Sequence, residues 1–388
     1  MAPAEAVTWA EVDLQALAHN VRELRRVANP QAALMAVVKA NGYGHGALEV
    51  ARVALAQGAR YLAVARFDEA FNLRKAGIEA PLLLFGATLP DQVDYLCRHD
   101  IRAAVNSLAG ARQLSVAAAA RNRTLKVHLK IDTGMGRLGL WAEGLAGTPG
   151  NDSSEGASME TIGTIAVLPG LELEGIFTHF ANADSRNTAH TRGQFALFEQ
   201  LLAQLAAHGI QISLRHAANS AALLAMPETH LNLVRPGIAL YGLWPSEEMK
   251  RHSIDLRPAL TLKSTVIQVK SVDRGFAVSY GSTHVTSRPT RIATIPIGYA
   301  DGYSRRLSAQ GHMLVRGVRA PILGRVCMDL TLIDVGRIPD VSPGDEVVLI
   351  GRQGAEEISA DEIARRLATI NYEVVSALTA RIPRVYRN

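Results

Sequence analysis

Eight short apolar runs between residues 33 and 235 constrain the fold most strongly, because each is followed by a turn and then by helical spacing of apolar residues. The runs cover residues 34–39, 61–65, 81–85, 101–105, 125–131, 173–179, 211–216 and 231–235. Alternation of strands and helices is typical of parallel sheets. Eight strands predict a closed (β/α)8 TIM-like barrel. A doubly wound open sheet, usually of five or six strands, is the less favoured alternative, because no G-x-G-x-x-G motif opens the first helix.

The pattern changes after residue 242. Residues 261–272, 290–303 and 345–351 alternate as strands divided by Gly, Pro and Asp-Arg-Gly turns. Ser359 and Glu362 form a capping signature ahead of a helical stretch. We therefore predict a barrel domain over 10–242 and a β-rich C-terminal domain over 243–388 that includes the first few residues. The Gly/Ser-rich stretch 143–161 is interpreted as an exposed, mobile insertion.

Composition limits the classes of partner. The 41 Lys and Arg residues exceed the 36 Asp and Glu residues by a formal charge of +5, without a block of like charge that would indicate nucleic-acid binding. Two cysteines, Cys97 and Cys327, support neither a disulfide framework nor a thiol metal site. The N-terminus lacks the features of a signal peptide, and no apolar run of about 18 residues follows. We expect a cytoplasmic protein without metal, membrane or nucleic-acid partners.

Barrel enzymes place reactive residues at the C-terminal ends of their strands. Lys39 ends the first run, where partial desolvation would lower the pKa of its amine and suit it to Schiff-base chemistry. An ordinary surface lysine is the alternative. The loops after the seventh and eighth strands bring Ser220 and the backbone N–H groups of Gly237 and Ile238, which could converge on a phosphate.

Nine motifs, spread in order over the chain, carry a resemblance to a known family. They are AVVKANGYGHG, KIDTGMGRLG, THFANAD, HAANSAA, RPGIALYG, SYGST, IPIGYADGY, GRVCMD and INYEV. From Thr8 to Arg387 the sequence resembles alanine racemase. The resemblance implies an isomerase that interconverts L-alanine and D-alanine by two-base proton transfer with pyridoxal 5′-phosphate.

The same resemblance assigns the cofactor site. Lys39 would hold the cofactor aldehyde as an imine, and Arg235 would face the pyridine nitrogen. An arginine does not give up its proton, so that nitrogen would stay unprotonated and the ring would be a weaker electron sink. The phosphate would bind Tyr43, Ser220, Tyr372 and the backbone of Gly237 and Ile238, with Asn219 beside them.

Racemisation needs two proton-transfer groups on opposite faces of the substrate Cα. The resemblance assigns these roles to Lys39 and Tyr280, with His179 next to Tyr280 and with Arg235 and His216 completing a polar chain. It also implies a head-to-tail homodimer in which Tyr280 comes from the partner subunit. Considered without the family, Tyr280 is a turn residue and both histidines are core residues.

Substrate binding requires a cation for the α-carboxylate, and the resemblance assigns Arg137 with the backbone N–H of Met328. Lys130 matches a carbamylated position of the family; an unmodified lysine paired with Asp132 is the alternative. The predicted access channel includes Asp184, Tyr299, Arg305, Arg325 and Ile370.

Three rival functions stay open. An amino-acid decarboxylase of the same architecture would place a carboxylate, not Arg235, against the ring nitrogen. A non-catalytic cofactor carrier would end near Gly242. A racemase with a broader amino-acid range would keep the same chemistry, and the sequence decides neither that range nor whether D-alanine is made for peptidoglycan or degraded.

Overall fold

A computed structural model describes residues 6–142 and 156–388. The chain divides into two compact units. Among the described residues, the barrel unit comprises 17–42, 47–142 and 156–257, and the β unit comprises 6–16, 43–46 and 258–388. None of the helices in the described ranges combines the length and the apolarity that a membrane crossing needs.

In the described residues the barrel unit contains nine parallel strands, of which Leu140–Trp141 pairs only with the strand Leu125–Asp132 and the other eight form the barrel. In chain order they are Ala33–Val37, Tyr61–Val64, Leu82–Leu84, Ile101–Val105, Leu125–Asp132, Leu171–Phe177, Leu214–His216 and Leu233–Val234. Neighbours in this order pair in parallel from the first to the seventh, and the eighth pairs with the first. Leu62, Leu83 and Ala103 are fully buried, as expected for strands covered on both faces. The predicted barrel is confirmed.

The seam between the seventh and eighth strands is closed by bonds outside a regular ladder. The Asn232 side chain accepts from the backbone N–H of Arg215 at 2.8 Å and donates to the carbonyl of Ser213. The backbone N–H of Arg235 donates to the carbonyl of Ala218 at 2.9 Å. The Asn232 bonds join the beginnings of the two strands, and the bond from Arg235 joins the segments that follow them, where part of the predicted site lies.

Helices lie between the strands. They are Leu14–Val27, Ala47–Ala56, Phe67–Lys75, Val93–Arg98, Leu108–Ala119, Met159–Ala166, Ala189–Ala207 and Ser220–Ala225. Residues 143–155 of the predicted insertion lie outside the described residues. The prediction of an insertion up to residue 161 is wrong at its end, because a helix begins at Met159. Ser158 caps this helix, its Oγ accepting from the backbone N–H of Thr161 at 3.1 Å. The low-complexity composition obscured this serine N-cap signal.

The β unit is built on a seven-stranded sheet. Its strands are Val318–Pro321, His312–Val315, Glu346–Gln353, Leu260–Thr265, Thr8–Asp13 and Arg384–Arg387 in spatial order, with Glu356–Ile358 on the side of Glu346–Gln353. Gln268–Val272, Thr290–Ile295 and Thr331–Asp334 form a second sheet, and Ala277–Val278 pairs with His284–Val285. The helices are Ala360–Leu367 and Asn371–Ser376. The first is capped by Ser359, whose Oγ accepts from the N–H of Glu362 at 3.0 Å, as predicted.

Candidate active site

Lys39 follows the first barrel strand in an unusual backbone turn. Ala40, Asn41, Gly42 and Tyr43 all have φ between 49° and 60°, the left-handed region that non-glycine residues rarely adopt. Glu69 stabilises the turn: its carboxylate accepts from the backbone N–H of Ala40 at 2.5 Å and of Ala65 at 2.8 Å. The strand itself ends at Val37, two residues earlier than predicted, because this turn replaces it.

The environment of Lys39 favours the neutral amine. Burial, together with the positive charge of Arg137, lowers the pKa of Lys39, and Glu69 opposes this only in part. A lowered pKa increases the fraction of unprotonated amine at neutral pH. The expectation of a desolvated lysine is therefore supported by the surroundings of the side chain.

Arg235 is buried and anchored on several acceptors. Its Nη2 donates to the carbonyls of Thr178 at 2.8 Å and Ala217 at 3.0 Å and lies 3.3 Å from His179 Nδ1. Its Nη1 lies 3.0 Å from His216 Nδ1. Burial lowers the pKa of Arg235 to about 9, which still leaves the guanidinium charged at neutral pH. The structure thus brings Arg235, His179 and His216 together.

His179 lies among several cations. Burial lowers its pKa well below the ordinary value, and Arg235, Lys130, Arg137 and Lys39 lower it further. Burial and Arg235 likewise lower the pKa of His216. Both imidazoles are therefore neutral at neutral pH. The concentration of positive charge at this end of the barrel suits an anionic ligand.

An unmodified Lys130 is expected to pair with Asp132, but the two side chains form their hydrogen bonds elsewhere. The Lys130 Nζ donates to the carbonyl of Ile131 at 2.7 Å. Asp132 binds its own loop instead, accepting from the backbone N–H groups of Gly134, Met135 and Gly136 through Oδ1 and of Arg137 through Oδ2. Burial, reinforced by Arg235, lowers the pKa of Lys130 to about 7.

The loops after the seventh and eighth strands meet at Ser220. Its Oγ accepts from the backbone N–H of Gly237 at 2.8 Å. Asn219 caps the helix Ser220–Ala225, its Oδ1 accepting from the N–H of Ala222 at 3.0 Å. Ile238 begins the following 3-10 turn. A hydroxyl and backbone N–H groups thus lie side by side, and their binding of a phosphate stays a prediction.

Tyr43 and Tyr372 lie together in the β unit, with ring centroids 6.1 Å apart. The segment from Tyr43 to Gly46 passes close to the helix Asn371–Ser376, where a Cβ on Gly44 would overlap the carbonyl oxygen of Val375. Burial raises the pKa of Tyr43 to about 12. Its hydroxyl therefore stays protonated and can donate to an anion.

Tyr280 lies on an exposed face of the β unit. It is 69% exposed, and the loop around it is held by Ser279, whose Oγ donates to the carbonyl of Arg325 at 2.7 Å. The N–H of Tyr299 donates to the carbonyl of Cys327, and the N–H of Ala300 donates to that of Met328. Three loops that carry Tyr280, Tyr299 and Met328 are therefore joined in one surface.

The remaining predicted residues fall in both units. Asp184 belongs to the barrel unit, where its carbonyl accepts from Ser246 Oγ at 2.7 Å. Arg305 begins a 3-10 turn in the β unit, and Ile370 precedes the helix Asn371–Ser376. Arg325 lies near Gly281, with its Nη1 3.2 Å from the position of a Cβ there.

Several polar residues next to the site were not predicted. Glu69 resembles an ordinary acidic residue in the first turn of a helix, and nothing local marks its bond to Ala40. His128 had a signal, because Lys126, His128, Lys130 and Asp132 alternate along the strand Leu125–Asp132. Alternating polar residues in a barrel strand share one face.

Comparisons with known proteins bear on this geometry. The family described as alanine racemase, N-terminal domain, matches residues 12–245, and its C-terminal domain family matches 259–386. An alanine racemase of Desulfosudis oleivorans is 52% identical over 98% of this chain and 96% of its own, and one of Desulforamulus reducens is 48% identical over 97% and 98%. The crystal structure of alanine racemase from Bacillus anthracis with bound L-Ala-P is 38% identical, with a TM-score of 0.91 over 100% of this chain and 96% of its own. The chain belongs to the alanine racemase family.

Proposed function

We propose that the chain interconverts L-alanine and D-alanine with pyridoxal 5′-phosphate, and that Lys39 and Tyr280 transfer the protons. The observation that carries this proposal is that a lysine amine with a lowered pKa, Lys39, lies at the same end of the barrel as the buried cation Arg235, where positive charge suits an anionic ligand. The D-alanine product is a cell-wall precursor or a nutrient, and both roles stay open.

The residues present fit this cofactor. A neutral amine at Lys39 suits its aldehyde, and the donors of Ser220, Gly237 and Ile238, with Tyr43 and Tyr372, suit its phosphate. Asn219 supports the Ser220 helix. When bound, the cofactor withdraws electrons from the substrate Cα and acidifies its hydrogen.

Arg235 would hold the ring nitrogen by a hydrogen bond without transferring its proton. Three of its contacts are to the carbonyls of Thr178 and Ala217 and to His216, so the guanidinium plane is fixed. Because Arg235 would donate a hydrogen bond without releasing its proton, the ring nitrogen would stay unprotonated. The ring would then delocalise less of the negative charge at the substrate Cα. This favours rapid return of a proton to the Cα, and hence racemisation over transamination or decarboxylation.

Arg137 would bind the substrate carboxylate, with help from the backbone N–H of Met328. We propose that Lys130 supports Arg137 as a carbamate. With a pKa of about 7, a large fraction of the Lys130 amine is neutral at neutral pH and can add to carbon dioxide. One C–N bond forms, one proton leaves to solvent, and a neutral buried amine becomes an anion.

Tyr280 would act from a partner subunit in a homodimer. Its side chain is on an exposed surface that also carries Met328 and Tyr299, which are 52% and 41% exposed. Exposed apolar residues in one patch are typical of an interaction surface. A two-fold head-to-tail arrangement would create two equivalent sites, each with Lys39 of one chain and Tyr280 of the other. Asp184, Tyr299, Arg305, Arg325 and Ile370 would line the access channel.

Two further proposals concern the whole chain. We propose that 10–242 and 243–388, with the first few residues, are its two domains, which the family matches to 12–245 and 259–386 support. A cytoplasmic location is supported by Cys97 and Cys327, which are free thiols, as in a reducing compartment.

A D-amino-acid-oxidase-coupled assay with alanine, serine, lysine and arginine tests the function. We expect activity that is greatest with alanine, from a protein whose visible absorbance shows bound cofactor. A colourless protein that stays inactive after incubation with pyridoxal phosphate would refute the proposal. Equal activity on all four amino acids would replace it with a racemase of broad range.

A further inference from the structure

Behind Arg235, a line of polar side chains continues through the barrel interior. His216 Nδ1 lies 3.0 Å from Arg235 Nη1, and His216 Nε2 lies 2.8 Å from His128 Nδ1. His128 Nε2 lies 3.1 Å from Glu174 Oε2. Arg102 binds both oxygens of Glu174, at 2.8 and 3.1 Å. These contacts link Arg235 to a carboxylate that the proposed reaction does not use.

The interior is shaped around these rings. His128 and His216 are fully buried, and Arg102 is 4% exposed. A Cβ on Gly175 would lie 2.5 Å from His128 Nδ1, so the strand needs glycine there. Phe177 stacks on His216 with an interplanar angle of 2°. Both imidazoles are therefore closely packed, His128 against Gly175 and His216 against Phe177.

The proton positions follow from the Arg235 end. A guanidinium only donates, so His216 Nδ1 must accept. Since burial keeps His216 neutral, its proton is on Nε2 and points to His128 Nδ1. That nitrogen must accept in turn, and therefore His128 Nε2 carries the second proton and donates it to Glu174.

Glu174, at the opposite end from Arg235, independently requires the same proton positions on the two histidines. Although burial alone would raise the pKa of Glu174, hydrogen bonds from His128 and Arg102 outweigh this and lower it to about 2. A carboxylate accepts and does not donate, so it selects the His128 tautomer that protonates Nε2. Arg102 is held in addition by Asp100, at 2.6 Å.

We propose that Glu174 is a positioning residue that sets the tautomer of His216 through His128, and thereby keeps His216 Nδ1 as the acceptor that holds Arg235. The inference rests on the proposed role of Arg235 for its catalytic consequence only. The tautomers themselves are a property of the protein without cofactor or substrate.

Glu174→Met would remove the acceptor that fixes the His128 tautomer. Glu174 Oε2 accepts from both Arg102 Nε and His128 Nε2, so an amide oxygen in its place could still serve both donors, whereas a thioether is only a weak acceptor. Without the carboxylate, His128 can carry its proton on Nδ1. His216 would then carry its own on Nδ1, directly against the N–H of Arg235.

The first test is 15N NMR of histidine-labelled wild-type protein, with and without pyridoxal phosphate. We expect unprotonated Nδ1 and protonated Nε2 for both His128 and His216, identified by the loss of one imidazole signal pair in His128→Gln. A protonated Nδ1 on His216 in the wild-type protein would overturn the proposal, whatever the variants do. This result does not depend on racemase activity.

The second test compares Glu174→Met with Asp100→Asn, which weakens the same ion-pair cluster at its half-exposed end and leaves the acceptor for His128 intact. In Glu174→Met we expect His216 to carry a proton on Nδ1 and kcat to fall by about 10–100-fold, with KM little changed. Asp100→Asn should keep the wild-type tautomers and kcat. Wild-type tautomers or a wild-type kcat in folded Glu174→Met, or equal losses in both variants, would show that the cluster only stabilises the barrel.

Discussion

Lys130→Met offers a quantitative test of the buried amine, because its cost can be worked from the structure. The side chain is 5% exposed, and burial with help from Arg235 lowers its pKa from 10.5 to about 7. Between these two pKa values the Lys130 amine is protonated in the unfolded chain and unprotonated in the folded chain. Unfolding free energy should therefore rise with pH over this window, by about 1.4 kcal/mol per pH unit and about 5 kcal/mol in all.

Urea unfolding from pH 7 to 9.5, in buffer free of carbon dioxide, measures this slope. Lys130→Met should remove most of it. Lys126→Met is the matched control, since Lys126 lies on the same face of the same strand and its side chain is 37% exposed. Bicarbonate should stabilise the wild-type protein at pH 7 and leave Lys130→Met unchanged. An equal slope in wild type and Lys130→Met would refute the argument, and no effect of bicarbonate would refute the carbamate.

Three further predictions concern the reacting groups. Lys39→Ala should abolish the visible absorbance of covalently held cofactor and lower kcat by at least about 10²–10⁴-fold; an unchanged spectrum would contradict the role of Lys39. Arg235→Glu should slow racemisation and produce pyruvate, because a carboxylate can keep the ring nitrogen protonated; a variant that makes none contradicts the argument. Mixing inactive Lys39→Ala and Tyr280→Ala homodimers should restore activity through hybrids in which one site carries neither defect, and inactive hybrids would place both groups on one chain.

The number and order of the barrel strands could be predicted because each strand is a local signal. A buried parallel strand is an unbroken apolar run, and Ala33–Val37 and Ile101–Val105 are such runs. The C-terminal ends of the first and eighth strands then locate Lys39 and Arg235 without any tertiary information. The insertion predicted over 143–161 extends too far, because a single N-cap residue, Ser158, is hard to recognise within a Gly/Ser-rich stretch.

The polar support of the site could not be predicted, because it depends on long-range partners. Glu69 and Ala40 are 29 residues apart, and His128 and His216 are 88 apart. Sequence spacing shows that His128 faces inward, but not which ring it meets. The association of Tyr43 with the β unit is likewise set by close backbone approach at Gly44, which no local pattern encodes.

The central claim is that Lys39 and Tyr280 act on opposite faces of one Cα, and Tyr280→Phe in deuterium oxide tests it most directly. L-alanine and D-alanine are each incubated with the variant, and deuterium at Cα and the configuration are followed by NMR and chiral chromatography. The account predicts that racemisation falls by about 10²–10⁴-fold, while Lys39 still exchanges the α-hydrogen of one enantiomer with retention. Racemisation at the wild-type rate, or equal exchange of both enantiomers, would contradict the two-base account.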